Sequence, residues 1–309
     1  MTWSILGDGV TGLCVATALM QVGEHCEVIT SDHIAASHWA GGMLAPYCEA
    51  ESASAAVTEQ GLKGITWWQK NIQTVHKKGT LVVAPVRDRQ ELQHFSHKTH
   101  NHQWVDPRVL EPDLADHFDK GLFFSDEAHL DPRSALAELK QKLIEHGVVF
   151  HSKAPSGRII DCRGIAATDH LQNLRAVRGE MLILQSHDVT FSRPIRFLHP
   201  RFPCYLVPRA EGQFMLGATM IESQDAGKIS VRALLELLTS LYVLNPAFAE
   251  AKVLETGTGL RPSFPDNLPK IEYQQGRYLI NGMYRHGFLL APVLAEQFIQ
   301  LISTTSEVN

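Results

Sequence analysis

The 309-residue chain is sparing with cysteine and carries no excess of basic charge. Its five cysteines, Cys14, Cys26, Cys48, Cys162 and Cys204, are odd in number and form no CxxC pair. That excludes a disulfide framework and a cysteine-built zinc site, and fits reduced thiols in a cytoplasmic protein. Lys and Arg total 28 against 33 Asp and Glu, a net charge of −5. Neither nucleic acid nor an anionic membrane surface is expected as the main partner. No run of about 18 apolar residues is present, so no transmembrane helix is expected. The N-terminal apolar stretch lacks a basic flank and is broken at Gly7, Asp8, Gly9 and Gly12, so a signal peptide is not expected. Histidines are scattered without metal-ligand spacing, and no metal is expected. GxSxG and Walker patterns, low-complexity segments and fixed-period repeats are all missing.

What is present is an ordinary globular composition, with 44% hydrophobic residues and enough length for about two domains. Residues 2–6 read as a strand, 11–22 as a helix with Gly23 at its C-terminal turn, and 26–30 as a second strand. Between the first strand and the helix stands Gly7-Asp8-Gly9-Val10-Thr11-Gly12. In a strand–turn–helix this spacing suits a dinucleotide. Gly7 permits the tight turn, Gly9 lets backbone approach a pyrophosphate, and Gly12 lets the helix pack on the strand. The helix N-terminus offers free N–H groups to the phosphates, here from Val10 and Thr11. The acid that ordinarily closes the second strand and binds ribose is displaced: Thr30 and Ser31 precede Asp32. Asp32, with hydroxyl help from Thr30 or Ser31, is the candidate, and the alternative is that Asp32 caps a helix starting near His33.

Further along, helices are predicted over 55–77, 87–98, 131–146, 230–242 and 292–303. Strands are predicted over 79–84, 122–124, 148–151, 158–162, 177–185, 204–208, 213–217 and 278–281. The 230–242 helix is expected to turn Val231, Leu234, Leu235, Leu238 and Leu241 inward, and Pro292 to sit in the first turn of the last helix. Gly164, after the 158–162 strand, is a further candidate at the nucleotide. The order predicts an α/β fold in two parts. A Rossmann-like nucleotide domain uses 1–78, 126–176 and 256–309. A mostly antiparallel α+β substrate domain is inserted as 79–125 and 177–255.

Longer blocks then carry a resemblance. Ser37-His38-Trp39-Ala40-Gly41-Gly42-Met43-Leu44-Ala45-Pro46 resembles the flavin-side segment of the FAD-dependent amino acid oxidase superfamily. His199 to Arg209 with Leu216-Gly217-Ala218-Thr219 resembles the substrate sheet of its glycine oxidase branch. Gly259-Leu260-Arg261-Pro262 with Asp266-Asn267-Leu268-Pro269, and Gly282 to Pro292, are similar to the same branch. Three departures stand out: the displaced ribose acid, Gly257 near a place where the family usually has Trp, and a short stretch between Gly147 and Arg158.

The resemblance implies FAD as cofactor and a small amino acid and O2 as substrates, with glycine the expected amino acid, an imine and H2O2 as products and a place in the thiazole branch of thiamine biosynthesis. It implies Arg261 as carboxylate anchor, Arg285 as a second cation and Tyr205 as a phenol donor to the same carboxylate. A planar guanidinium fork suits a carboxylate, because an unpaired buried charge is costly. It also implies that Ser37, Gly41, Gly42, Met43 and Leu44 line the flavin. The N–H groups of Gly287, Phe288, Leu289 and Leu290 would face it and stabilise negative charge on its reduced form. From the residues alone, Arg261 could equally pair with Asp266 or Glu255, Arg285 could be a surface group and Tyr205 a packing residue. Sarcosine or a D-amino acid as substrate, or a non-catalytic nucleotide-binding protein, are the alternative functions. A homo-oligomer is allowed by the sequence and not required by it.

Overall fold

The computed structural model describes residues 2–306. Its first sheet is mostly parallel. The strands run in the order Lys270–Gln274, Arg277–Asn281, Arg158–Asp161, Trp3–Leu6, Cys26–Ile29 and Val149–His151. Only the first two of these pair antiparallel. Ile5, Val28 and Ile160 are fully buried, as expected for parallel strands covered on both faces. The helix Val10–Gln21 follows the first strand, with Gly23 at φ +78 closing it and Glu24 N–H returning to the Leu19 carbonyl.

The second sheet is nine-stranded and mainly antiparallel. Its long centre pairs Arg175–Gln185 with Lys252–Ser263, and then runs through Gln213–Gly217, Cys204–Pro208, Ile195–Phe197, Thr80–Val83, Gly121–Phe124 and Gln103–Val105. Most predicted strands are present within a residue or two. The 252–263 strand was not predicted, because Thr256-Gly257-Thr258-Gly259 and Pro262 read as non-strand locally. Its pairing with Arg175–Gln185 supplies what propensity does not. The predicted 55–77 helix ends earlier, at Asn71.

The stretch from Gly147 to Arg158 is short because the chain passes from the edge strand Val149–His151 almost directly to Arg158–Asp161. Glu27 holds this passage. It accepts hydrogen bonds from Ser4 Oγ, from Ser156 N–H and Oγ, and pairs with His151 Nε2 at 3.0 Å. Burial raises its carboxyl, but these bonds outweigh that and bring it down to about 2.

Two expectations about helices are corrected. The 230–242 prediction corresponds to Val231–Leu244, but Val231, Leu235 and Leu238 face solvent; the buried residues are Ala233, Leu237, Ser240, Leu241 and Leu244. The helix is apolar on both sides, so its period alone could not say which side packs. The last helix begins at Gly287, not at Ala291-Pro292, and runs to Ser306 with Pro292 inside it. By composition its Gly287–Thr304 window would suit a membrane, with mean hydropathy 1.3, against the expectation of no such segment. In the fold, Leu290, Leu294 and Phe298 are core residues packed between the Val10–Gln21 and Ala55–Asn71 helices.

An internal proline leaves the carbonyl four residues earlier without its helical partner. That carbonyl is Phe288 O, and Trp68 Nε1 donates to it at 2.5 Å. Trp68 also stacks on Phe288, with ring centroids 5.4 Å apart. Trp68→Phe should therefore destabilise the fold by about 1–3 kcal/mol in urea unfolding, by leaving a buried acceptor unpaired. Adding Pro292→Ala, which restores a backbone N–H, should recover part of the loss; no recovery would show that the indole acts by packing alone.

Candidate active site

The glycine-rich turn has the shape the sequence predicts. Gly7 has φ +100, and a methyl group on Gly12 would lie 1.9 Å from the Gly7 carbonyl oxygen, so the helix and the turn touch through Gly12. Gly9 is the N-cap residue of the helix, and Val10 and Thr11 are buried in its first turn. Ser37 Oγ accepts from Val10 N–H at 3.2 Å, which places the predicted Ser37 at the helix mouth. Thr30 is half-buried, and its N–H is held by the His151 carbonyl at 2.8 Å. Ser31 and Asp32 are exposed in a bend. No helix starts at His33: the next element is a 3-10 turn at Ala36–Trp39, so Asp32 is not a cap.

Gly41, Gly42, Met43 and Leu44 pass beside the second sheet. A methyl on Gly41 would stand 2.5 Å from the Tyr205 ring, and Gly42 takes φ +72 with its carbonyl accepting from Leu130 N–H. Met43 and Leu44 pair with His129 and Ala128. Arg209, buried and paired with Asp131, donates to the carbonyls of Gly41 (2.7 Å) and Leu130 (3.0 Å), fixing this strap. Gly164 has φ +59 and its carbonyl accepts from Asn281 Nδ2. At the last helix, Leu289 and Leu290 N–H both turn back to the His286 carbonyl. Gly287 and Phe288 thus carry the open N–H groups of the first turn, whereas the side chains of Phe288, Leu289 and Leu290 are core.

Strand register assembles the rest. Tyr205 pairs with Gly217, Gly217 with Met181, and Met181 with Gly257, so all four share one face of the sheet. Two residues on, Gly179 pairs with Gly259, and two further on Val177 pairs with Arg261; these share the same face by the period of two. The glycines are slots in which large side chains lie flat. The Tyr205 hydroxyl is 2.9 Å from where a Gly217 methyl would be. The Arg261 guanidinium lies 2.2–2.5 Å from the same position on Gly179, and the Trp39 ring 2.1 Å from that on Gly257. Trp39 therefore fills from the flavin-side turn the place where the family usually has a strand Trp.

Charges decide which of these groups is free. Glu255 is taken by Arg133 at 2.7 Å and Asp266 by Lys270 at 3.0 Å, so neither of the acids considered for Arg261 holds it. Arg261 donates one hydrogen bond, to the Thr219 carbonyl at 3.1 Å, and no acid lies in ion-pair range among the described residues. Arg285 is different. Its Nε pairs with Glu49 at 2.8 Å, and its fork also touches Ser52 Oγ. Arg196 pairs with Glu51 at 2.9 Å. Tyr284 N–H donates to the Pro262 carbonyl at 2.8 Å, which ties the Arg285 segment to the Arg261 strand. Sequence reasoning missed Glu49. Its only signal was an acid beside an otherwise apolar flavin-side block. Burial would raise the Glu49 carboxyl, but Arg285, His286 and Arg196 hold it below the usual range. Burial pushes the Tyr205 phenol up, so it stays a donor.

A cavity of about 170 Å³ opens on this sheet face beside Trp39's turn, lined among others by His38, Ala40, Met181, Arg209 and Met215. A larger one, about 310 Å³, lies between Glu51 and the Arg89–Lys98 helix and holds none of the predicted site residues.

Two outcomes follow from these placements. Gly179→Ala drives a methyl into the flexible end of Arg261, not into backbone, so the protein should fold with a near-normal melting temperature while catalytic efficiency falls about 10–100-fold. Steady-state kinetics beside a thermal melt check this, and unchanged kinetics would show the fork is not where the substrate is held. Glu127 is fully buried; one oxygen accepts from Cys48 N–H at 2.8 Å and burial lifts the carboxyl to about 7. Raised from 4.5, it holds its proton more tightly folded than unfolded, so its contribution is complete below about pH 4.5 and lost as pH rises to 7. Relative to Glu127→Gln, the natural protein should lose stability between pH 5 and pH 8 in denaturant titrations; parallel curves for the two would contradict the assignment.

Residues 3–301 match the family model described as FAD dependent oxidoreductase. A Rhizobium etli protein named as the thiamine biosynthesis oxidoreductase ThiO is 48% identical over 96% of this chain and 95% of its own. The glycine oxidase of Bacillus licheniformis is 24% identical over 96% of this chain and 92% of its own. The crystal structure of glycine oxidase from Geobacillus kaustophilus superposes with a TM-score of 0.83 at 18% identity, covering 98% of this chain and 94% of that one. The glycine-lined turn and open helix ends suit the cofactor that the family requires, and the chain belongs to the FAD-dependent oxidoreductases of this type.

Proposed function

We propose that the chain oxidises glycine, or an amino acid nearly as small, to its imine with O2 as electron acceptor, as an oxidase supplying thiazole synthesis. The observation that carries this reading is the uncompensated guanidinium of Arg261 on the sheet face beside Tyr205. The names of the relatives from Rhizobium etli and Bacillus licheniformis support the same activity.

The turn Gly7–Gly12, the Val10–Gln21 helix mouth with Ser37, the Gly41–Leu44 strap and the Gly287 and Phe288 N–H groups would hold FAD. When bound, FAD would supply the two-electron acceptor for the substrate Cα–H, and the hydride equivalent with one proton from solvent would leave on O2 as H2O2. The protein's own groups bind and orient. Arg261 presents two N–H donors to the substrate carboxylate, and the Tyr205 hydroxyl donates to the same group. The carboxylate replaces the water that otherwise solvates a half-buried cation, and it neutralises that cation. With Arg285 already neutralised by Glu49, the site carries one net positive charge for one carboxylate. The amine reacts in its neutral form, and its proton leaves to solvent after the hydride; no side chain needs to abstract from Cα, and the catalysis is chiefly positioning. Trp39 covers Gly257 and Gly259, and Gly259 is the cross-strand partner of the Gly179 over which the guanidinium lies, which supports a substrate with little or no side chain.

Peroxide release measured across glycine, sarcosine, D-alanine and D-proline tests the reading. Glycine should turn over, and Arg261→Ala should lower kcat/KM by about 10²–10⁴-fold with flavin absorbance and melting temperature retained. Arg261→Lys should restore part of it through charge without the fork. Turnover of sarcosine or D-proline with none of glycine would remove the glycine assignment and leave amine oxidation. Full activity in Arg261→Ala would remove the anchor.

A further inference from the structure

Val177, Gly179 and Met181 stand on the sheet face that carries Arg261, so Arg178 and Glu180 of the same strand turn to the other face. There both are buried, and they pair at 2.9 Å. A buried ion pair is weak evidence of stabilisation, because desolvating two charges costs about as much as their attraction gains. The other hydrogen bonds of this pair show what it holds. Arg178 donates to the Lys228 carbonyl at 2.6 Å and pairs with Asp225 at 2.9 Å. Glu180 accepts from the Ser230 N–H at 2.8 Å, where the Val231–Leu244 helix begins, and from the Thr219 hydroxyl at 3.0 Å. Thr219 is held twice more by the same residue. Its hydroxyl oxygen accepts from the Glu180 N–H at 2.9 Å, and its own N–H donates to the Glu180 carbonyl at 3.3 Å.

We infer that Glu180 is a positioning residue of the active site, fixing through Thr219 the carbonyl that aims the Arg261 fork. Three bonds to Glu180 set Thr219 in one orientation. Its remaining polar group, the carbonyl, accepts from Arg261 Nη1 at 3.1 Å on the other side of the sheet. That is the one hydrogen bond the guanidinium makes among the described residues. Without it, a long side chain lying over a bare glycine would be free to change rotamer. With it, one N–H of the planar fork is tied down, and the other donors keep a fixed direction for a carboxylate. A shift of about 1 Å in that direction is enough to cost much of the rate. Glu180 itself lies behind the strand and reaches the substrate side only through Thr219. The inference rests on the proposed reading of Arg261 as the carboxylate anchor.

Glycolate affinity read from the flavin spectrum, glycine oxidation kinetics and thermal melts of the FAD-loaded protein test it together. Glu180→Ala would strand the buried Arg178 and report on folding more than on positioning. Thr219→Val keeps the shape of the side chain and leaves the Glu180–Arg178 pair whole. It should weaken glycolate binding about 5–20-fold and lower kcat/KM for glycine by a like factor. Thr219→Ser returns the hydroxyl and should recover most of both losses. Glu180→Gln, which keeps the shape without the charge, should weaken glycolate in the same direction. In an Arg261→Ala background, Thr219→Val should lower kcat/KM by less than about 2-fold, because its effect runs through the guanidinium. Its effect on melting temperature should be the same in both backgrounds, which separates stability from positioning. Natural glycolate affinity in Thr219→Val or in Glu180→Gln would overturn the inference. So would a serine variant that recovers nothing, or equal fold losses of kcat/KM in the two backgrounds. A natural protein that binds glycolate yet oxidises no amine would remove the oxidase reading alone, and the glycolate comparison would still decide this inference.

Discussion

The site depends on one arginine left without an acid. Each other cation around Tyr205 has a partner of its own: Arg285 has Glu49, Arg196 has Glu51, Arg209 has Asp131 and Arg133 has Glu255. Arg261 has a single carbonyl. A half-buried guanidinium in that condition is the most favourable place in the neighbourhood for a carboxylate, and its planar fork fixes the carboxylate's orientation as well as its position. The surrounding ion pairs matter to this selectivity. Were Arg285 not neutralised by Glu49, two cations would compete for one small anion.

What holds Arg261 in place is absence of side chain as much as presence. Gly179, Gly217 and Gly257 occupy one face of three adjacent strands, and a guanidinium, a phenol and an indole lie flat over them. The arrangement needs the register of four strands to be right at once, since a slip of one residue would turn each of these groups to the opposite face. The long pairing of Arg175–Gln185 with Lys252–Ser263 supplies that register, and the Tyr284 N–H to the Pro262 carbonyl joins it to the last helix.

The parts legible in the sequence are those set locally. Gly7 to Gly12 between a strand and a helix, Asp131-Pro132 opening a helix, and the alternating strands 204–208 and 213–217 all state their geometry within a few residues. The ordered blocks added Arg261 and Tyr205 by resemblance. Glu49 was not legible, because its meaning comes from Arg285 more than two hundred residues away. The exposed side of Val231–Leu244 was misread for a related reason: a helix with two apolar faces has no preferred inside until the sheet it packs on is in place, and here the sheet takes Leu237, Leu241 and Leu244. The start of the last helix at Gly287 was hidden by Pro292, whose local signal is a first turn; Trp68 donates to the carbonyl that this proline leaves open.

The central claim, that Arg261 is the carboxylate anchor, is tested most directly with a ligand that has the carboxylate and lacks the amine. Titrating the FAD-loaded protein with glycolate while recording the flavin spectrum should give a saturable shift that glycine competes away and that Arg261→Ala abolishes. Equal glycolate affinity in the natural protein and in Arg261→Ala would contradict the account.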